Sequence, residues 1–287
     1  MADAKPPTQR VALITGVGPG LGAALARRFS REGYKVGLIA RGSEFIGDLA
    51  NELADSGALA LIADVGQPNE LSAAIARVRA ELGPIDVFIH NASAAAGDGV
   101  GGTTDEQFEQ SWRVTALGGF VGARETAADM LAAGEGAMLF TGATSSVRGG
   151  GWLAFSSAKF ALRGLAQSLA RELWPKGVHV AHVVVDGLIG EAGEDAKTAD
   201  AQATLDPEKM ADAYWHLAQQ DRSAWTLELD LRPNGEEFFV RGARRNSAAR
   251  LDGRWSATLC RREFAIAFRD SRCRSIALQG APSALRA

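Results

Sequence analysis

The sequence predicts one doubly wound α/β domain, a parallel sheet wrapped by helices on both faces, with a basic extension at its C-terminal end. Three observations carry that expectation. Apolar runs of strand length alternate with longer segments whose apolar residues recur with a period near 3.6, the rhythm of successive βαβ units. The first run, Val11-Ala12-Leu13-Ile14, passes through TGVGPGLG at 15–22, four glycines within seven residues, into the helical pattern AALARRF. Finally, 287 residues at 46% hydrophobic content suffice for one large α/β core and exclude a chain disordered throughout.

The strand candidates, in order, are VALIT at 11–15, KVGLIA at 35–40, ALAL at 58–61, DVFIH at 86–90, AMLFT at 137–141 and VHVAHVVV at 178–185. They are short and largely apolar, as strands covered on both faces are. Between them, Leu21, Leu25 and Phe29 share one helical face. Leu162, Leu165, Leu169 and Leu173 share another, on a helix that should stop near Pro175-Lys176-Gly177. After residue 185 the rhythm loosens. The stretch DGLIGEAGEDAKTADAQATL at 186–205 is polar and rich in small residues, and reads as a mobile loop over the carboxyl edge of the sheet. DPEKMADAYWHLAQQ reads as a helix with Asp206 as N-cap and Pro207 in the first position, and AWTLELDLRP as a last strand closed by Pro233. The domain so read spans residues 10–239 behind an arm of residues 1–9.

Residues 240–287 differ in kind, with eleven arginines, no lysine and three acids (Asp252, Glu263, Asp270), a net of +8. Since the whole chain carries −3, residues 1–239 carry −11, an acidic body that offers no footprint for nucleic acid. The extension has few aromatic residues and no long amphipathic stripe, so a disordered or loosely packed tail is expected. The opening MADAKPPTQR lacks the apolar segment of a secretory leader, and no run approaches the roughly eighteen apolar residues of a membrane span. The only cysteines are Cys260 and Cys273, so no disulfide scaffold is expected and a reducing cytoplasm is. His90, His179, His182 and His216 have no ligand spacing, hence no expected metal site, and each reads as a satisfied core or edge histidine. His179 and His182, an odd offset apart in a strand, should face opposite ways.

A strand running directly into a helix leaves the first helical N–H groups without partners. Together with the aligned peptide dipoles they make an anion site. Bulky side chains would keep a diphosphate away from that backbone. Gly16 would permit the tight turn, Gly20 the close approach and Gly22 the packing of helix on strand.

The spacing Gly16-x3-Gly20-x-Gly22 resembles the fingerprint of the short-chain dehydrogenase/reductase family, and further stretches agree in order over about residues 9–235. ADV at 63–65 is similar to the family's adenine-contacting Asp-Val pair. HNASA at 90–94 resembles its Asn-Ala-Gly stretch after the fourth strand. FSSAKFAL at 155–162 sits where the family has Tyr-x-x-x-Lys at the head of a long helix. The resemblance implies a Rossmann fold, a nicotinamide dinucleotide cofactor, and hydride transfer to or from a small-molecule alcohol or carbonyl. It also implies a homo-dimer or homo-tetramer with the Leu162/Leu165/Leu169 helix at a subunit contact. It carries cofactor contacts onto Thr15, Gly16, Gly18, Gly20, Leu21, Gly22, Arg41, Asp64, Val65, Asn91, Ala92 and Lys159. The second strand ends LIARGS. Ala40 fills the slot where NAD-preferring members carry an acid, and Arg41 follows, a fixed cation suited to a 2′-phosphate. NADP(H) is therefore favoured over NAD(H), although Pro19 stands where many NADP-using relatives have a second basic residue. The plainer reading of Arg41 is a solvated surface side chain.

The catalytic positions depart from the family. There, Tyr is the acid or base on the substrate oxygen, Lys grips the nicotinamide ribose and lowers the Tyr pKa, Ser holds the carbonyl, and Asn keeps a water behind the Lys. Here Lys159 is present, but the Tyr slot is Phe155, which has no proton to give. The Ser slot falls on Gly142-Ala143-Thr144, with Ser145 and Ser146 following. The Asn slot is Thr115, and the usual Pro-Gly after the sixth strand is Asp186-Gly187. Lys159 and Thr144 are the expected catalytic residues. Water, Thr144 or Ser156 could deliver the proton, although Ser156 also suits a purely structural place at a helix start. Trp152 and Phe155 are expected to line an apolar substrate pocket. The expected function is an NADP(H)-dependent oxidoreductase with a substituted proton donor. A second reading is a non-catalytic NADP(H)-binding sensor or partner subunit. A lyase or isomerase on the same scaffold is a third.

Overall fold

Seven parallel strands carry the fold: β1 (Val11–Thr15), β2 (Lys35–Ala40), β3 (Leu59–Ile62), β4 (Val87–His90), β5 (Gly136–Thr141), β6 (Val178–Val185) and, late in the chain, β9 (Glu228–Leu231). This computed structural model describes residues 9–97, 99–150, 152–190 and 204–234. The arm before residue 9, residues 191–203 of the polar stretch and the arginine-rich extension at 240–287 lie outside the described residues. The strand order is β3-β2-β1-β4-β5-β6-β9. The order reverses between β1 and β4, where open α/β sheets form a crevice at the carboxyl ends of their strands.

The helices are α1 (Leu21–Arg31), α2 (Glu44–Glu52), α3 (Pro68–Leu82), the single turn α4 (Gly99–Gly102), α5 (Asp105–Trp112), α6 (Gly118–Ala133), α7 (Leu153–Leu173) and α8 (Pro207–Ala218). They cover both faces of the sheet. On one side, Leu21, Leu25 and Phe29 of α1 pack with Ile46 of α2 and Met210, Tyr214 and Leu217 of α8. On the other, Leu71 and Val78 of α3 pack with Val121 and Met130 of α6 and Leu162, Ala166 and Ala170 of α7. Alternate residues of β6 serve the two cores, Ala181 and Val183 one and Val178 and Val180 the other.

Most expected elements stand within a residue or two of their sequence positions, with three differences. The buried line of α7 runs Ala154, Ala158, Leu162, Ala166, Ala170, Leu173, while Leu165 and Leu169 flank it half-buried. Alanine at successive turns lets the helix approach the sheet, so the face is decided by small residues rather than by the leucines. Leu162 has no exposed surface and faces the core, which removes it from any subunit contact. The last strand is shorter than AWTLELDLRP suggests, because Arg222–Ala224 form a 3-10 turn that Asp221 caps through the Ser223 N–H. The polar stretch contains a short ladder, β7 (Leu188–Ile189) paired in parallel with β8 (Thr204–Leu205). α8 begins as the sequence suggests, with the Asp206 carboxylate accepting from the Glu208 N–H at 2.9 Å and Pro207 in the first turn. α7 stops in a 3-10 turn at Trp174–Lys176, and Gly177 turns the chain at φ +91°.

Candidate active site

The glycine-rich turn lies at the carboxyl end of β1. Gly16 has φ +72°, and a Cβ there would sit 2.5 Å from the Ala92 backbone. No side chain fits. Its N–H donates to the Ile39 carbonyl at 3.0 Å, and its own carbonyl accepts from the Asn91 side-chain amide at 3.0 Å. The turn is thus tied to β2 on one side and to the end of β4 on the other. A Cβ on Gly22 would lie 2.7 Å from Val17 Cα, so glycine sets how closely α1 begins behind the turn. A Cβ on Gly18 would meet no atom within 4 Å among the described residues, and Gly20 faces Ile189 of β7 and Gly190 just after it. The N-cap Gly20 supplies no side-chain hydrogen bond, and the first turn of α1, beginning Leu21-Gly22, holds no acidic residue. That combination fits an anion: peptide N–H groups, a positive dipole end and no competing carboxylate.

Other expected contacts surround this turn. Arg41 is exposed just beyond β2 and has no ion pair among the described residues. The Asp64 carboxylate accepts from the Gly66 N–H at 2.8 Å, which holds the turn after β3 with Val65 buried beside it. Ala92 is buried against Gly16. Thr15 is fully buried, and its hydroxyl pairs with His90 Nδ1 at 2.9 Å rather than facing the crevice.

His90 explains how the floor of the site is built. Its Nε2 lies 3.0 Å from the Thr115 carbonyl, which can only accept, so Nε2 carries the proton and Nδ1 accepts from Thr15. Burial, reinforced by the charge of Lys159, pushes this imidazole down to about 4 and keeps it neutral. Thr115 sits in a π-helical turn, Arg113–Leu117, between α5 and α6, and its own hydroxyl is buried with no partner among the described residues. Such turns recur at functional sites because the widened helix re-aims backbone groups.

Lys159 is the second centre. It lies on α7 with only 2% of its surface exposed, and Nζ donates to the Thr141 carbonyl at the end of β5 at 2.7 Å. Burial pulls the ammonium down to about 7. One turn earlier, the half-buried Phe155 presents its ring 5.4 Å from Nζ, a cation–π contact. Ser156 has a buried hydroxyl with no partner among the described residues. Half-buried Trp152 stands immediately before α7. His182, also fully buried, lies against Gly142, with Nδ1 3.1 Å from Glu228 and Nε2 without a partner among the described residues. Burial lowers its pKa to about 4 against the opposing pull of Glu228.

The segment after β5 holds three hydroxyls. Ser146 accepts from the Ala143 N–H at 3.0 Å, Ser145 is half-buried, and Thr144 donates to the Asp186 carboxylate, which is itself paired with Arg232. Tyr214 is wholly enclosed, its hydroxyl 2.8 Å from Thr141 Oγ1, and burial raises the phenol above its usual range. Tyr34 lies before β2, at the amino end of the strands, among Phe29, Trp215 and the side chains of Arg10 and Gln219. Neither tyrosine reaches the crevice from its place. His90 is the satisfied core histidine its place in a strand suggests, whereas the sealing of Tyr214 onto Thr141 and the pairing of Asp186 with Thr144 have no local signal.

A family model described as short chain dehydrogenase matches residues 10–200. The chain belongs to the short-chain dehydrogenase family. A short-chain dehydrogenase structure from Rhodopseudomonas palustris has 38% identity and a TM-score of 0.70, covering 79% of this chain and 100% of that one. A short-chain dehydrogenase/reductase of Armillaria gallica is 33% identical over 194 residues, 63% of this chain and 71% of the relative. A metagenomic short-chain oxidoreductase in complex with NADP has 25% identity and a TM-score of 0.67, covering 78% and 96% of the two chains. This short-chain dehydrogenase thus shares with its relatives the seven-stranded parallel Rossmann sheet on which the glycine turn and Lys159 are set. Among its described residues no helix is long and apolar enough to cross a membrane, and no group of three or more His, Cys, Asp or Glu side chains could hold a metal.

Proposed function

We propose that the chain is an NADP(H)-dependent oxidoreductase that moves a hydride between the nicotinamide and a small alcohol or carbonyl substrate. The observation that carries the reading is Lys159, a buried amine with three donor positions and one backbone acceptor, at the same sheet edge as an uncapped glycine turn. In this reading Gly16, Gly18, Gly20, Leu21 and Gly22 present backbone to the diphosphate, and Asp64 and Val65 border the adenine. Asn91 and Ala92 shape the crevice floor, and Lys159 holds the ribose beside the nicotinamide. Thr15 contributes through His90 rather than by contact. The cofactor supplies the hydride or accepts it. Arg41, exposed and without an ion pair among the described residues, supports the 2′-phosphate and hence NADP(H) over NAD(H), as does the relative in complex with NADP. Phe155 takes the slot of the family's proton-carrying Tyr, and with Trp152 it lines the substrate side. The exposed apolar residues Trp112, Phe120 and Phe160 on α5, α6 and α7 support a homo-dimer or homo-tetramer, which light scattering on the eluted protein checks.

A second reading, an NADP(H) binder without turnover, is favoured by one observation: Phe155 has no ionisable atom and neither tyrosine stands in for it. A titration of NADPH fluorescence followed by a screen of carbonyls and alcohols with wild type and Phe155→Tyr separates the two. Binding with turnover supports the oxidoreductase, and tight binding with no turnover supports the sensor.

A further inference from the structure

Three neighbouring strands each place one polar residue just past their carboxyl ends. Thr144 follows β5 by three residues, Asp186 follows β6 directly, and Arg232 follows β9 directly. They meet: Thr144 Oγ1 donates to Asp186 Oδ1, and Asp186 Oδ2 faces the Arg232 guanidinium. The Asp186 N–H also donates to the Leu231 carbonyl at 3.0 Å, which locks the acid over the sheet edge, with its side chain only 13% exposed. This is the edge that carries Thr141 and, above it, Lys159 and Phe155.

The hydrogen-bond inventory is restrictive. A carboxylate facing a guanidinium only accepts, and a threonine hydroxyl has a single proton. With that proton on Asp186, Thr144 Oγ1 offers a substrate nothing but lone pairs. It is a partner for an O–H group and not for a carbonyl oxygen. We propose that Asp186, acting through Thr144, draws the proton from an alcohol substrate, so that the site is built for alcohol oxidation and Asp186 replaces the missing phenol as the proton's destination. This deepens the oxidoreductase reading above and rests on it. In the step, the substrate O–H bond breaks and its proton passes to Thr144 Oγ1 while the Thr144 proton passes to Asp186 Oδ1. The carbinol hydrogen leaves with its bonding pair to the oxidised nicotinamide dinucleotide, and the carbonyl forms. Thr144 touches the substrate; Asp186 is a positioning residue and proton sink behind it.

The test has two readouts. In the full chain without cofactor, with aspartate carboxyls labelled with carbon-13, the Asp186 resonance is assigned by its loss in Asp186→Asn and titrated with pH. Removing the Thr144 donor in Thr144→Val should move the titration upward by about one pH unit, since a hydrogen bond to a charged acceptor favours its ionised form. Thr144→Ser should restore it. An unchanged midpoint in Thr144→Val overturns the proposal. In turnover with NADP+ and a panel of alcohols, Asp186→Asn and Thr144→Val should each lower kcat by about 10²-fold or more. Asp186→Asn should also abolish the acid limb of the pH profile, and cofactor affinity should stay within about twofold of wild type. Thr144→Val leaves the ion pair with Arg232 intact and serves where Asp186→Asn folds poorly. Full activity with an unchanged profile in both variants, or a wild type that reduces carbonyls but never oxidises alcohols, overturns the Asp186 route and leaves the oxidoreductase standing. Failure to bind either nicotinamide overturns both.

Discussion

The side-chain amide of Asn91 donates to the carbonyl of Gly16 at 3.0 Å, joining the end of β4 to the turn after β1 across the point where the strand order reverses. The bond fixes the Gly16 peptide, while Gly18, two residues on, has no such side-chain contact among the described residues. Two glycines of the same turn should therefore respond differently to a methyl group. Gly16→Ala must adopt φ +72° with its Cβ against Ala92, and should lose about 3 kcal/mol of stability. Gly18→Ala meets no atom within 4 Å among the described residues and should stay within about 0.5 kcal/mol of wild type. Urea denaturation of the two variants checks the pair, and equal losses would contradict the geometry.

Lys159 makes stability depend on alkaline pH. Its folded pKa is about 7, against roughly 10.4 for an unfolded lysine. Between those values the unfolded chain holds a proton that the folded chain has released. Stability therefore rises with pH across the window, and the penalty for the buried cation is complete below its lower end, on the order of 4 kcal/mol. Lys159→Met should remove the rise. Denaturation midpoints at intervals from pH 7 to 10 for both proteins read it directly, and parallel curves would show that the amine is not held as described.

Acid acts through His90 in the opposite window. Its folded pKa is about 4 and an unfolded histidine titrates near 6.5, so stability is lost as pH falls between them, on the order of 3 kcal/mol from this group. His90→Gln keeps an amide that can donate to the Thr115 carbonyl, and should flatten that part of the acid limb while lowering stability near neutrality. Thermal unfolding from pH 7 to 4 tests it.

Arg41 should discriminate between the two nicotinamides. Arg41→Ala is expected to weaken NADPH binding by about tenfold to a hundredfold, the loss of one charge-assisted contact, and to leave NADH within about twofold. Fluorescence titration with both cofactors measures the ratio. Equal affinities in wild type would return Arg41 to a solvated surface residue.

The parallel α/β fold, the glycine turn and the helix that bears Lys159 are legible in the residues alone, because each is written in local pattern. Runs of apolar residues make the strands, alternation sets the layers, and glycine is favoured where the chain turns at positive φ, as at Gly16. Folding adds what no local pattern records. The buried face of α7 follows Ala158, Ala166 and Ala170 as much as its leucines, because small side chains set the approach of helix to sheet. Thr15 is turned to His90 and Tyr214 is sealed onto Thr141. Thr144, Asp186 and Arg232 lie far apart in the chain and meet only because β5, β6 and β9 run side by side and end at one edge. A hydroxyl's partner depends on what stands across the sheet edge from it, and that is a property of the folded chain.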